Sequence, residues 1–295
     1  MQAGELAALG TATCWTVSSL AFESSARRIG SLSLNLARVC LAFVWLTGLA
    51  LVTRGLPLPT DATAAQWGWL GASGLVGVVL GDLCTFRAYV DIGARRTMVV
   101  STSVPIFTAA LAWLFLGEAS SLAELAGMLV IVAGVMLAVA DRMPGPAAVM
   151  PRAPVKGVVL ALGGSLGQAG GLLLSKQGMA GYAAVPATQI RMRAGIAGFV
   201  VVLAAAGWLG RFREAVRDRA AMGYTAVGAL LGPCFGVALS LYAVAHAKAG
   251  IAASLMSLSP ILIIPLVLAR GERVGWAGVL GAALAVGGVA ILALA

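Results

Sequence analysis

The chain has 295 residues, 60% of them hydrophobic and only 11% charged, against about 25% charged in soluble domains. That composition excludes an ordinary soluble fold and points to a bilayer. The net charge of +9 is not read as a nucleic-acid footprint. Aromatics are sparse, and the arginines lie between apolar runs, where they orient a membrane protein.

A spanning helix needs about 20 mostly apolar residues. Ten are predicted, over 5–25, 32–53, 67–89, 97–116, 121–140, 155–176, 185–208, 221–244, 250–269 and 274–294. No cleavable signal is visible: only Met1 to Glu5 precede the first run and Arg27-Arg28 follow it, the reverse of a secretory signal. The first segment is therefore expected to be a retained span. Asp82 and Arg87 interrupt the third span, and Arg191 and Arg193 the seventh. The longest connections are Thr53–Gln66, Asp141–Lys156 and Gly210–Ala220. The second of these carries Pro144, Pro146, Pro151 and Pro154 and reads as a linker between two halves.

The halves are copies. Gly93–Ala140 is repeated by Lys248–Ala295, with Pro105 matching Pro260 and Gly117-Glu118 matching Gly271-Glu272. Gly77 and Gly81 match Gly232 and Gly236 at an offset of 155; Trp15, Glu23 and Arg38 match Gln168, Lys176 and Arg191 at 153. The predicted units are 1–143 and 152–295, joined by 144–151. Five crossings per unit turn the second copy upside down. The expected fold is all-α: a polytopic membrane protein of ten transmembrane helices in two inverted five-helix repeats, the basis of alternating access in many secondary transporters. Small residues four apart, as in Gly77/Gly81, Gly163/Gly167/Gly171 and Gly228/Gly232/Gly236, let helices pack closely in lipid.

Odd-numbered loops hold thirteen Lys and Arg, and the even-numbered side only Arg54, Lys176 and Lys248. The positive-inside rule places the odd loops in the cytoplasm and both termini outside.

The segments "SVPIFTAALAWLFLGEASSLAELAGMLVIVAGVML" (103–137) and "SLYAVAHAKAGIAASLMSLSPI" (240–261) resemble the EamA-type repeat of the drug/metabolite transporter superfamily. That repeat has a proline in its fourth helix, a Gly-Glu at the end of it and glycines through the fifth. The resemblance covers nearly the whole chain. It implies a ten-helix carrier with a central cavity in the bacterial inner membrane, exporting a metabolite, an amino acid or a toxic compound. Family habit draws both termini in the cytoplasm, opposite to the charge count. Aromatic-amino-acid exporters of this type tend to have aromatics near the fourth-helix proline; here the stretch reads "VVSTSVPIF", which argues against an aromatic substrate.

Charges inside the spans are costly and are functional candidates. Glu23 and Arg38 lie seven and eight residues from the turn at Gly30, at one depth of about 11 Å, and are expected to pair, as a structural bridge or as a gate. Lys176 and Arg191 flank the turn near Ala183 with no acid on either helix. An anion would relieve both; the alternative is snorkelling to headgroups. Arg193, two residues on, faces nearly the other way. Asp82 is expected to be the deepest charge, opposite Ser101, Thr102 and Ser103, as a proton-coupling site, a partner for Arg87 or a hydroxyl-bonded packing residue. Trp15, Gln168, Tyr89 and Tyr242 are candidate cavity liners, and Ser254, Ser257 and Ser259 form the matching hydroxyl patch. Pro105 and Pro260 are expected to bend their helices by removing a hydrogen bond. Glu118 and Glu272 are expected in turns or interfaces.

Cys14, Cys40, Cys84 and Cys234 stand singly in apolar runs, so neither metal nor disulfide is expected. His246 is the single histidine and has no obvious partner. No cofactor is expected beyond proton coupling. With no HExxH or nucleophile–base pair in the spans, an enzyme is disfavoured. The expected function is secondary transport of a small polar metabolite, such as an amino acid or other carboxylate. A flippase-like carrier of a lipid-linked solute is the alternative. The partners expected are the solute and the bilayer, without nucleic acid, in a monomer or homodimer.

Overall fold

A computed structural model describes residues 2–141, 155–262, 264–265 and 275–295. The linker at 144–151, residues 263 and 266–269 of the ninth span, Gly271-Glu272, Arg270 and Arg273 lie outside the described residues. The side chain of Tyr89 does so too.

Lipid offers no partner for backbone N–H and C=O groups, so helices that bond internally are the stable solution. Among the described residues the structure is helical throughout, without strands. The helices are α1 (Ala3–Ile29), α2 (Ser31–Arg54), α3 (Ala64–Ser73), α4 (Gly81–Ser101), α5 (Val104–Leu116), α6 (Leu122–Asp141), α7 (Val155–Gly178), α8 (Ala184–Ala205), α9 (Leu209–Ala215), α10 (Arg219–Ala229), α11 (Val237–His246), α12 (Ala249–Met256), α13 (Ser259–Leu262) and α14 (Trp276–Leu294). Eight helical stretches are long and apolar enough to cross a bilayer. The hydroxyl-rich α1 and the broken α12–α13 complete the ten segments.

Boundaries follow backbone chemistry. Gly30 at φ 76° lets α1 pass into α2 through a single residue, a left-handed conformation that glycine adopts without penalty. Thr63 and Gln66 cap α3 reciprocally, satisfying two first-turn donors. The predicted spans 67–89 and 97–116 imply a break between them that is absent: the backbone stays helical from Gly81 to Ser101.

The third and eighth spans each contain a π-helical stretch, Gly74–Leu80 and Leu230–Gly236. They fall at matching positions of the two repeats. Pro233 explains one of them, since it donates no hydrogen bond to the preceding turn; glycines at 74 and 77 loosen the other. Such wide turns recur at functional sites.

Pro105 and Pro260 do not bend continuous helices. Each follows a break, at Thr102–Ser103 and Ser257–Leu258, and occupies the second position of the new helix. A first-turn N–H has no intrahelical acceptor, so proline forfeits nothing there.

The packing shows the inversion. α1 lies against α10, α11 and the stretch between them, while α7 lies against α3, α4 and theirs. The first helix of each repeat thus packs on the third of the other. α2 packs on α8, α5 on α12 and α6 on α14, each with its own counterpart or its counterpart's neighbour. Glycine makes these approaches possible. A Cβ at Gly134 would stand 2.6 Å from backbone atoms of Gly281 and Ala285, and one at Gly281 would stand 2.6 Å from Gly134 and Ala138. Gly77 and Gly171 meet in the same way, with a Cβ on Gly171 only 2.7 Å from the Gly77 Cα. The outward faces carry Val52, Trp113, Leu114, Phe115, Leu129 and Val201, all largely exposed, an apolar surface suited to lipid.

Candidate functional site

The helices enclose a cavity of about 550 Å³ between the repeats, within the range of small-molecule sites. Its walls come from both halves. Trp15, Ser18, Ser19 and Phe22 of α1 face it, with Arg38 of α2 and Asp82 and Thr85 of α4. Gln168 of α7, Arg191 and Met192 of α8, Ser240 of α11 and Ser257 complete it. The two π-helical stretches contribute Gly77, Val78, Gly232 and Pro233.

The lining reaches Phe22, Met98 and Val139, near the face that carries the odd-numbered loops. The opposite face is tied shut across the repeats. Lys176 Nζ contacts Glu118 Oε1 at 2.5 Å and donates to the Ala247 carbonyl at 2.7 Å. The Ala249 amide donates to Glu118 at 2.7 Å, and Lys248 meets Glu124 at 2.7 Å. The Tyr182 hydroxyl donates to Asp61 at 3.0 Å, and Asp61 also pairs with Arg54. On the odd-loop face, among the described residues, Arg28–Asp218 at 2.9 Å is the ion pair that joins the repeats.

Arg38 and Asp82 form an ion pair on the cavity wall. Arg38 also stands over the Phe22 ring at 5.9 Å. The expected Glu23–Arg38 pair is therefore absent. Glu23 binds Arg27 at 2.6 Å on an exposed face; equal depth along a hairpin did not bring the two side chains to the same side of it. Arg87 binds Asp91 at 3.2 Å, not Asp82.

Lys176 and Arg191 part company as well. Lys176 has found its acid on the end of α5 and does not line the cavity. Arg191 does line it and is only 6% exposed. Its Nη1 donates to the Ser175 hydroxyl at 2.6 Å, its Nε has no partner, and no carboxylate among the described residues pairs with it. Ser175 in turn bonds the Gly171 carbonyl and Ser73, so the guanidinium joins a neutral hydroxyl network. Arg193 packs over Phe43 and Trp67 at 5.2 and 5.6 Å, away from the cavity.

Of the other candidates, Trp15, Gln168, Ser101, Ser257 and Pro260 line the cavity; Ser103, Pro105 and Tyr242 do not. Tyr242 stacks on His246 at 4.0 Å between centroids. Ser101, Thr102 and Ser103 bond carbonyls of their own chain turn, as does Ser257. Ser259 bonds the Met256 carbonyl of its own turn and also bridges to the Ala12 carbonyl, each at 3.1 Å, and Thr16 returns a bond to the Ser259 carbonyl at 2.9 Å, tying α1 to the break before α13. Sequence reasoning missed Phe22, Thr85, Met192, Val237 and Ser240. Val237 was legible as the counterpart of Asp82; the others carry no signal beyond their helix face. Among the described residues no group of three His, Cys, Asp or Glu gathers to hold a metal.

The EamA-like transporter family model matches residues 2–140 and 155–294. The chain belongs to the EamA-like transporter family. It is a multi-pass membrane protein of the drug/metabolite transporter type, built from two repeats. A solved crystal structure, titled only as that of a protein, superimposes with a TM-score of 0.74 at 19% identity, covering 99% of this chain and 96% of that one. That likeness shows the fold alone. No curated protein matches.

Proposed function

We propose that this EamA-like protein is a secondary carrier that exports a small carboxylate-bearing metabolite by alternating access. The observation that carries the reading is Arg191, a buried guanidinium on the cavity wall that pairs with no acid among the described residues. Leaving a charge uncompensated in a low-dielectric site is costly, and a carboxylate bound in the cavity offsets that cost through charge-assisted hydrogen bonds.

Two further features support a carrier. The cavity lies between inverted halves, where such carriers place their sites. The cross-repeat ties concentrate on one face while the lining reaches toward the other, as in a state open to one side. The odd-loop face is the arginine-rich one, which the positive-inside rule assigns to the cytoplasm. The cavity then faces the cytoplasm, ready to load for export.

The test is a thermal-shift screen of the purified, detergent-solubilised protein against amino acids, organic anions and organic cations. A ligand at a hundred times its Kd stabilises by about 2.7 kcal/mol. Stabilisation by carboxylated solutes, lost in Arg191→Gln, is expected. Stabilisation by organic cations alone would move the site to Asp82 and sink the carboxylate reading.

A further inference from the structure

The repeat symmetry shows what the second half lacks. Arg38 and Arg191 are counterparts at an offset of 153, and so are Phe22 and Ser175. Gly77 and Gly232 are counterparts at 155. At that same offset Asp82 falls on Val237. All four of Arg38, Asp82, Arg191 and Val237 line the one cavity.

Each arginine sits in a comparable cradle. Arg38 rests on Phe22; Arg191 bonds Ser175, the residue in Phe22's place. A Cβ on Gly77 would come within 3.4 Å of the Arg191 Nη2, so the π-helical glycine leaves room for the guanidinium. The helices bearing Arg191 and Val237 pack against each other. The first repeat fills its arginine's anion site with its own carboxylate. The second has a valine where that carboxylate belongs.

Building on the carboxylate-carrier reading, we infer that Asp82 is a built-in counter-anion that sets the charge selectivity of the cavity: one anion site is occupied from within, one is left at Arg191, and the solute accepted carries a single anionic group. A second carboxylate on the solute would have to displace Asp82 from Arg38 or lie unpaired beside it. Either costs affinity, because a close like charge or an unpaired buried one is disfavoured. Neutralising Asp82 frees Arg38 and creates a cavity with two arginines, suited to a dianion. Placing an acid at Val237 closes the remaining site.

Calorimetric titration of the full-length, detergent-solubilised chain tests this with two five-carbon probes, valerate and glutarate, both fully ionised at neutral pH. Wild type is expected to bind valerate more tightly than glutarate. Asp82→Asn keeps the shape of the side chain and is expected to shift the ratio toward glutarate by roughly tenfold or more, about 1.4 kcal/mol per tenfold. Val237→Asp is expected to lose valerate binding, and Val237→Asn, polar but uncharged, to weaken it at least about tenfold less. Valerate binding with an unchanged ratio in Asp82→Asn overturns the counter-anion role and leaves the carboxylate reading intact. Should Asp82→Asn not fold, equal valerate binding by Val237→Asp and Val237→Asn overturns it independently. Failure of wild type to bind either probe overturns both.

Discussion

Arg38 and Arg191 occupy equivalent positions in the two repeats and face one cavity, yet Arg38 pairs with the Asp82 carboxylate, while Arg191 bonds the neutral Ser175 hydroxyl and pairs with no acid among the described residues. Inverted symmetry duplicates the backbone; divergence at single side chains makes the two halves chemically unequal. The inequality sits where a solute would bind.

The Arg38–Asp82 pair is largely shielded, with side chains 22% and 18% exposed. Removing one partner leaves the other's charge unmatched at the cavity wall. Arg38→Gln and Asp82→Asn are each expected to destabilise the protein by about 1–3 kcal/mol, and the double variant by less than the sum of the two. Thermal or denaturant unfolding in detergent measures all three. Additive losses would mean that the pair contributes no coupling.

The even-loop face predicts a conformational effect. Glu118 holds Lys176 and the Ala249 amide, and Glu124 holds Lys248. These contacts cross between repeats, so breaking them favours opening of that face by population shift. In a background with the native cysteines replaced, a Ser240→Cys probe on the cavity wall is expected to react slowly with an impermeant maleimide applied at the even-loop face. Glu118→Gln with Glu124→Gln is expected to raise that rate several-fold. Unchanged labelling would show that the face is closed by apolar packing alone.

Hydropathy located the spans, because twenty apolar residues have few uses outside a bilayer. Recurrent glycines and prolines exposed the repeat. Spacing also told that Arg191 and Arg193 face different ways, since two residues turn a helix by about 200°. The partner of Arg38 was not legible. A hairpin fixes the depth of Glu23 but not its azimuth, and the acid that Arg38 meets lies 44 residues along the chain on another helix. Glu118 was legible as a turn or interface residue, but its partners Lys176 and Ala249 were not, because they depend on the second repeat arriving upside down beside it. The π-helical stretches leave no periodic trace in the sequence.

The Tyr182–Asp61–Arg54 cluster predicts a pH dependence. Partial burial, with the Asp61 carboxylate beside it, pushes the Tyr182 hydroxyl up to about 12. For Asp61 the slight burial pushes upward, but the Tyr182 hydroxyl and Arg54 outweigh it and hold the carboxyl below its usual range. A raised folded-state value contributes stability below the unfolded tyrosine value of about 10, and that contribution is lost as pH rises toward the folded value. The depressed Asp61 contributes above about 3.9 and loses its part as pH falls through the lower folded value. Melting temperature in detergent is expected to decline between about pH 10 and 12, and Tyr182→Phe is expected to flatten that limb. An identical alkaline limb in the variant would show that Tyr182 does not titrate with unfolding.

The α6–α14 pair predicts the sharpest structural failure. At Gly134 and Gly281 the nearest atoms are the backbone of the facing helix, which cannot rotate aside as a side chain can. A methyl group there forces the helices apart along their length, including the Gly127–Gly288 approach about two turns away. Small residues at such crossings supply the close packing that holds helices together in lipid. Gly134→Ala and Gly281→Ala are each expected to destabilise by about 1–3 kcal/mol, the range for overpacking a tight interior. Gly48→Ala is a suitable control, because a Cβ there meets nothing within 4 Å and alanine favours the helix. Monodisperse yield on size exclusion and melting temperature report the difference. Wild-type behaviour of Gly134→Ala would mean that the two helices can separate without loss, and that the interface does not hold the repeats together.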